Sequence, residues 1–285
     1  MTLAPPPNLN SLTARIRNAA SADGRLARRY ELIVADAAVG QMLPTGVVKG
    51  GAAMQIRLGD AESRATRDLD AARAAGLSLE TYLERLDERL AEGWAGFTGT
   101  VRDAEAPNPV DVPPDYVMRP FVIRLIYRGS FWFNLPFELG RDEVGSTAAP
   151  ELRMSARTTD LFARLGLPAP EPIPLLPVDH QMAQKLHACT WLDRSGQNDR
   201  AHDLVDLQIL VREEAPDLAS VGTTARRLFE SRRAQSWPPT VRAHDRWDTL
   251  YATAAEGLDV TGSVEEAIDW ANLLIARVDS ASHGQ

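Results

Sequence analysis

The segment Arg64-Ala65-Thr66-Arg67-Asp68-Leu69-Asp70 carries two carboxylates at alternate positions. In a strand, side chains alternate faces, so Asp68 and Asp70 would point the same way with Thr66, while Leu69 turns into the core. Two like charges held side by side raise each other's pKa unless a cation lies between them. A divalent ion resolves that conflict. Carboxylate oxygens suit Mg²⁺ or Mn²⁺, and Mg²⁺ keeps waters and substrate phosphates as its remaining ligands. The same residues are also compatible with an exposed Asp-x-Asp turn, which is a common motif. Upstream, Lys49-Gly50-Gly51-Ala52-Ala53 stands between the short apolar run Val47-Val48 and a helix. Two glycines there let backbone approach a phosphate, and the helix start offers unpaired N–H groups and the positive end of the dipole. A glycine pair alone fits an ordinary turn equally well. Gly-Gly, then a helix, then Asp-x-Asp on the next strand is far more specific, and it makes Lys49, Gly50, Gly51 and Thr66 candidate nucleotide-binding residues beside the metal pair.

Two later segments carry charge on apolar helix faces. In His180–Ala188, Met182, Leu186 and Cys189 form an apolar stripe with Lys185 at its edge. That lysine either snorkels outward or reaches a buried anion. In Asn198–Leu207, Asp203 projects between Leu207 and Leu210 on the helical wheel. A carboxylate there requires a partner, which Arg200 one turn earlier or Lys185 on the preceding helix could supply. Cys189 on its apolar stripe fits a core role. The five histidines show no metal-ligand spacing, and no serine stands in a Gly-x-Ser-x-Gly elbow.

Positioning these groups requires an α/β front half and a helical back half. Leu12–Met42 is helical with a break near Ala22-Asp23-Gly24, and Pro44 ends it. Residues 78–95 repeat apolar side chains at helical spacing. Phe97–Val101, Val117–Tyr127 and Phe131–Leu139 predict strands, the last two joined by a hairpin at Arg128-Gly129-Ser130. Phe131, Phe133, Leu135, Phe137 and Leu139 would share one face, with Trp132, Asn134 and Glu138 on the other. The polar, proline-rich stretch from Arg141 to Pro177 predicts a connection, followed by helices over 178–192, 201–213, 222–234, 241–256 and 264–278. The expected division is an α/β domain with a twisted mixed sheet over 1–150 and a helical domain over 151–285.

Composition bounds the possibilities. The 285 residues are 44% hydrophobic and 25% charged, which is ordinary for a globular chain able to bury a core. One cysteine excludes an intramolecular disulfide and a zinc site built on several thiolates. No apolar run approaches the roughly 18 residues of a membrane span, and the N-terminus lacks the order of a signal peptide, so a cytoplasmic location without membrane contact is the expectation. A net charge of −8 argues against a surface that grips nucleic acid throughout. Basic islands at Arg25/Arg28/Arg29 and Arg226/Arg227/Arg232/Arg233 leave room for a local track or for solvated helix faces.

The order of Gly50-Gly51, helix and Asp68-Leu69-Asp70 resembles the polymerase-β-like nucleotidyltransferase superfamily. Lys49-Gly50-Gly51-Ala52 through Arg57, then Arg64, Thr66, Asp68 and Asp70, is similar to the first motif of the AbiEii/AbiGii toxin family, which includes the mycobacterial MenT toxins. Lys185-Leu186-His187-Ala188, then Arg200-x-x-Asp203-Leu204-x-Asp206-Leu207, is similar to its later motifs. The last of these usually has lysine before the first aspartate, and this chain has His202. The resemblance implies a polymerase-β-like core and transfer of a nucleotide from a nucleoside triphosphate to an acceptor hydroxyl, with the tRNA 3′ end as acceptor and a cognate antitoxin as partner. Carried over by position, Lys185 would hold the triphosphate, and Asp203 would be a further essential acid that orients Lys185 or helps the acceptor. Asp206 would be structural. Arg57 and Arg64 would be phosphate-facing or structural, with Arg57 favoured as structural. The superfamily also places a third acid on a neighbouring strand. Glu138 is the candidate metal ligand, with an ion pair to Arg124 as its other reading and Asp142 as a substitute. Transfer to a small molecule or a protein, or a non-catalytic nucleotide- or partner-binding role on the same fold, are the alternatives.

Overall fold

The computed structural model describes residues 3–59, 63–105, 118–192 and 196–283. The chain divides into two compact units. The first comprises Met1–Asp60, Ala65–Asp142 and Thr147–Leu175, and the second Ala61–Arg64, Glu143–Ser146 and Leu176–Gln285. The expected boundary at residue 150 therefore moves to 175, and two short pieces of the N-terminal half belong with the C-terminal unit.

The first unit is a mixed sheet with helices. Helices α1 (Leu9–Ala22) and α2 (Ala27–Gly40) come first, followed by strand β1 (Gly46–Lys49), helix α3 (Gly50–Leu58) and strand β2 (Leu69–Arg73). Helix α4 (Leu79–Glu92) leads into β3 (Phe97–Asp103), β4 (Arg119–Tyr127) and β5 (Ser130–Gly140). The stretch expected to be a connection contains β6 (Glu151–Arg153), α5 (Ala156–Leu165) and β7 (Ile173–Leu175). Its prolines masked these elements, because Pro174 sits inside a three-residue strand and Ser155 caps α5 by accepting from the Thr158 N–H at 3.2 Å. Strand order is β3-β4-β5-β2-β1-β7-β6. β2 runs parallel to β5 and β1 parallel to β7, and the remaining neighbours are antiparallel. Short β6 and β7 thus complete the edge beyond β1.

One face of this sheet is the core. Phe121, Ile123, Leu125 and Tyr127 of β4 alternate into it, as do Phe133, Leu135, Phe137 and Leu139 of β5, and they join Leu12, Ile16, Ile33, Leu86 and Leu90 of the helices in one apolar cluster. The expected hairpin forms, with Arg128 and Gly129 both at positive φ, as a type I′ turn requires. Just after it the register shifts, so that Ile126 faces Phe131 while Leu125 faces Phe133. This bulge at Trp132 takes Phe131 off the core face where strict alternation had put it, and leaves its ring 47% exposed.

The second unit is helical, with α6 (Val178–Ala188), α7 (His202–Glu214), α8 (Leu218–Arg232), α9 (Trp247–Ala255) and α10 (Val264–His283). Met182, Leu186, Leu204, Leu207, Val221, Phe229, Trp247 and Leu274 are buried within it. Cys189 is buried as well, and burial pushes its thiol pKa up, which fits a core residue. α9 begins later than expected because Val241 is tied by both backbone groups to the Asn272 side chain, at 2.9 and 3.1 Å. Among the described residues no helix is long and apolar enough to cross a membrane. Ser155→Ala should lower stability by about 1 kcal/mol, the usual cost of a lost N-cap, read as a lower urea midpoint at unchanged slope. An unchanged midpoint would show that the cap contributes nothing.

Candidate functional site

Local chain geometry in the first unit brings most of the N-terminal candidates together. Strands β1, β2 and β5 are neighbours, with Lys49 opposite Asp70 and Asp70 opposite Glu138. Residues opposite one another across a ladder share a face, so Lys49, Asp70 and Glu138 form one transverse row. Asp68 lies one residue before β2 rather than inside it. The buried Thr66 hydroxyl donates to the Asp68 carboxylate and carbonyl, each at 3.2 Å, and so shapes the approach to the acids. Gly50 opens α3 at a φ of +63°, and a Cβ placed on it would stand 2.0 Å from the Asp70 Oδ2 atom. The close approach made possible by Gly50 is therefore that of Asp70 itself, whose carboxylate lies against the positive end of the α3 dipole. Lys49 reaches over β2, since its Nζ is 3.3 Å from where a Cβ on Gly140 of β5 would be.

The donor chemistry fits a hard divalent cation. Asp68 and Asp70 supply carboxylate oxygens, and one or two such ligands suffice when substrate phosphates complete the shell. Among the described residues no three of histidine, cysteine, aspartate and glutamate converge on one metal position. Glu138 thus shares the row but does not complete a three-acid set in this conformation. Its suggested partner, Arg124, stands opposite Asn134 and stacks on Phe131, with the guanidinium carbon 4.9 Å from the ring centroid. Asp142, the substitute acid, closes a loop by accepting from the Thr147 N–H and hydroxyl, both at 2.7 Å. Arg57 is buried and ion-paired to Glu151 of β6, which is a structural role.

Asp36 is a fourth acid that periodicity did not single out. It lies in the middle of α2, fully buried, and among the described residues neither carboxyl oxygen has a hydrogen-bond partner. Burial, then the charges of Asp68 and Asp70, push its pKa well above the usual carboxylate range. The run Ile33-Val34-Ala35-Asp36-Ala37-Ala38-Val39 held the signal, because a helix apolar on every side is buried and its one acid must go in with it.

The C-terminal candidates form a second cluster within the second unit. The Lys185 Nζ donates to Asp203 Oδ1 at 2.9 Å and to Asp206 Oδ2 at 2.6 Å, with both aspartates fully buried. Arg64 donates from Nε to both Asp206 oxygens at 3.1 Å, and Arg200 from Nε to Asp203 at 2.8 Å. Both partners proposed for Asp203 are therefore real, and Arg64 pairs with an acid far along the chain. Burial alone would raise the pKa of Asp203. The charges of Arg200 and Lys185 outweigh it and hold the carboxyl well below its usual range. Lys185 and Arg64 do the same for Asp206. His202 replaces the family's cation with a neutral group, since burial pushes its pKa down to about 4. Three cations, Lys185, Arg64 and Arg200, then surround the two carboxylates, and Arg200 is half-exposed to solvent.

The sequence profile described as "Nucleotidyl transferase AbiEii toxin, Type IV TA system" matches residues 33–275. The chain belongs to the AbiEii nucleotidyltransferase toxin family. The matched region contains both clusters, from Asp36 to Asp206, and the family is one of toxin–antitoxin systems. Among solved structures, the fold is shared with MenT4, a nucleotidyltransferase toxin from Mycobacterium tuberculosis H37Rv, at 17% identity and a TM-score of 0.51, covering 95% of this chain and 98% of that one. No curated protein matches by sequence.

For this AbiEii-family chain, two predictions follow from the acid cluster. Gly50→Ala and Gly76→Ala both force a side chain to positive φ, at a cost of roughly 1–2 kcal/mol each. Only the first would collide with Asp70, because nothing lies within 4 Å of a Cβ on Gly76. Nucleotidyl transfer should fall sharply in Gly50→Ala and persist in Gly76→Ala, and equal loss in both would refute the crowding argument. Asp36 binds its proton more tightly folded than unfolded, so its contribution is intact below the unfolded pKa and is lost as pH rises towards the folded one. Asp36→Asn should therefore melt higher than wild type at pH 7, with the gain shrinking towards pH 4. A gain that grows on acidification would contradict this.

Proposed function

We propose that this chain is a metal-dependent nucleotidyltransferase toxin that transfers a nucleotide from a nucleoside triphosphate to the 3′ end of tRNA in the cytoplasm, restrained by a cognate antitoxin. The observation that carries this reading is the Asp68/Asp70 pair, with Asp70 seated against Gly50 at the head of α3, in a chain of a nucleotidyltransferase family. Asp68 and Asp70 would hold Mg²⁺ or Mn²⁺, which when bound neutralises phosphate charge and favours ionisation of the acceptor hydroxyl. The acceptor oxygen attacks the α-phosphorus, the bond from that phosphorus to the bridging oxygen breaks, and pyrophosphate leaves. The hydroxyl proton is released to solvent.

Residues of the chain supply the rest. Lys185 is held by two buried carboxylates, which orient its ammonium as a point charge for triphosphate oxygens. Asp203 and Asp206 act through it as positioning residues, and Arg64 and Arg200 complete the positive side of that cluster. Thr66 holds Asp68, and Gly51 continues the N-terminal turn of α3 beside Gly50. Lys49 offsets the negative charge of its row with Asp70 and Glu138.

Incubation with labelled nucleoside triphosphates and total tRNA tests the proposal directly. Wild-type protein should label tRNA at the 3′ end in a manner abolished by EDTA. Asp68→Ala should reduce the rate by more than about a hundred-fold, the scale of losing a metal's several kcal/mol of charge stabilisation, with its circular dichroism unchanged. Transfer retained in that variant would sink the assignment of the chemistry.

A further inference from the structure

The face of the sheet opposite the core is not covered everywhere. Near β1 and β2 it holds buried Val47 and Ala72 beside the acid row. Across β3, β4 and β5 it opens. Register places Arg102 opposite Val122 and Phe131 opposite Ile126, with Val122, Arg124 and Ile126 alternating along β4 on that same face. Arg102 is exposed, Val122, Arg124 and Ile126 are half-buried, and Phe131 is 47% exposed. The bulge at Trp132 is what brings Phe131 onto this side, and Arg124 stacks on its ring. Pro120 on β4 is opposite Glu138, so among the described residues the open face adjoins the row that holds Asp70. At about 3.4 Å per residue, Ile126 stands roughly 20 Å from Pro120 along β4.

We infer that this open face is where a single-stranded nucleic acid acceptor docks, with a base stacked on Phe131 and phosphates met by Arg124 and Arg102. This rests on the proposed transfer to a nucleic acid and names the surface that would receive it. Charge complementarity favours that occupant. In a chain of net charge −8, the strand positions facing this side from Arg102 to Phe131 bear two arginines, and carboxylates appear only where the acid row begins. An exposed aromatic ring with a guanidinium at its face is the platform that binds unpaired bases without regard to sequence. A strand lying along β4 from Phe131 would run its end towards the carboxylates, the direction an acceptor end must take.

The test is fluorescence anisotropy with a labelled single-stranded RNA oligonucleotide, in the presence of Mg²⁺ and without nucleoside triphosphate. Phe131→Ala should weaken binding about ten-fold, the order expected for one lost base–aromatic stack. Phe131→Trp should restore it, and both variants should bind nucleoside triphosphate as wild type does. Arg124→Gln should flatten the dependence of log affinity on log salt by about 0.7, one phosphate contact on a single strand. RNA affinity unchanged in Phe131→Ala and Arg124→Gln, as expected if the face serves a protein partner, would overturn the inference. So would RNA binding that Phe131→Trp fails to restore. The measurement does not depend on turnover. Transfer retained in Asp68→Ala removes the chemistry and leaves the docking result standing, and the reverse outcome removes only the docking face.

Discussion

Carboxylates packed close together repel, and the first unit is arranged around that repulsion. Asp70 is brought against the backbone at the head of α3, in space open only because residue 50 has no side chain. There the helix dipole favours its charge. Lys49 and Glu138 flank the same row through β1 and β5, and Asp68 is steadied by Thr66. Asp36, fully buried and pushed by the charges of Asp68 and Asp70, takes the other solution and is held towards its neutral form. The sheet order β5-β2-β1 thus decides which charges meet.

The second unit handles buried charge in the opposite way. Asp203 and Asp206 are fully buried, yet Lys185, Arg64 and Arg200 enclose them, so ionisation is favoured despite the cost of desolvation. Breaking such a network strands a charge, at a cost of roughly 3–5 kcal/mol. That coupling explains why one basic residue from the front of the sequence, Arg64, belongs structurally with helices more than a hundred residues away.

Much was legible from local pattern. Period-two alternation predicted β4 and β5, and 3.6-residue spacing predicted α4 and α6, because one-sided burial imposes those periods. Gly50, Asp68, Lys185 and Asp203 stood out because each put a residue type where solvent or core alone gives it no reason to be. The stretch 141–177 holds elements that local pattern hides. Its strands are three residues long, too short for a period to show, and its prolines suggest loop. Phe131 was put on the wrong face because a bulge shifts alternation by one residue, and a bulge is a property of two paired strands.

Chain order alone specifies which residue types are available for metal and phosphate chemistry, which helices and long strands form, and the AbiEii family to which the chain belongs. These depend on side-chain identity and near-neighbour spacing, which a linear string records completely. Tertiary packing settles that Asp70 comes against Gly50, that Arg64 pairs with Asp206, that Asp36 is buried, and that Phe131 faces outward. Each depends on which distant segments become neighbours. Charge and close packing act through space, and chain order does not record those distances.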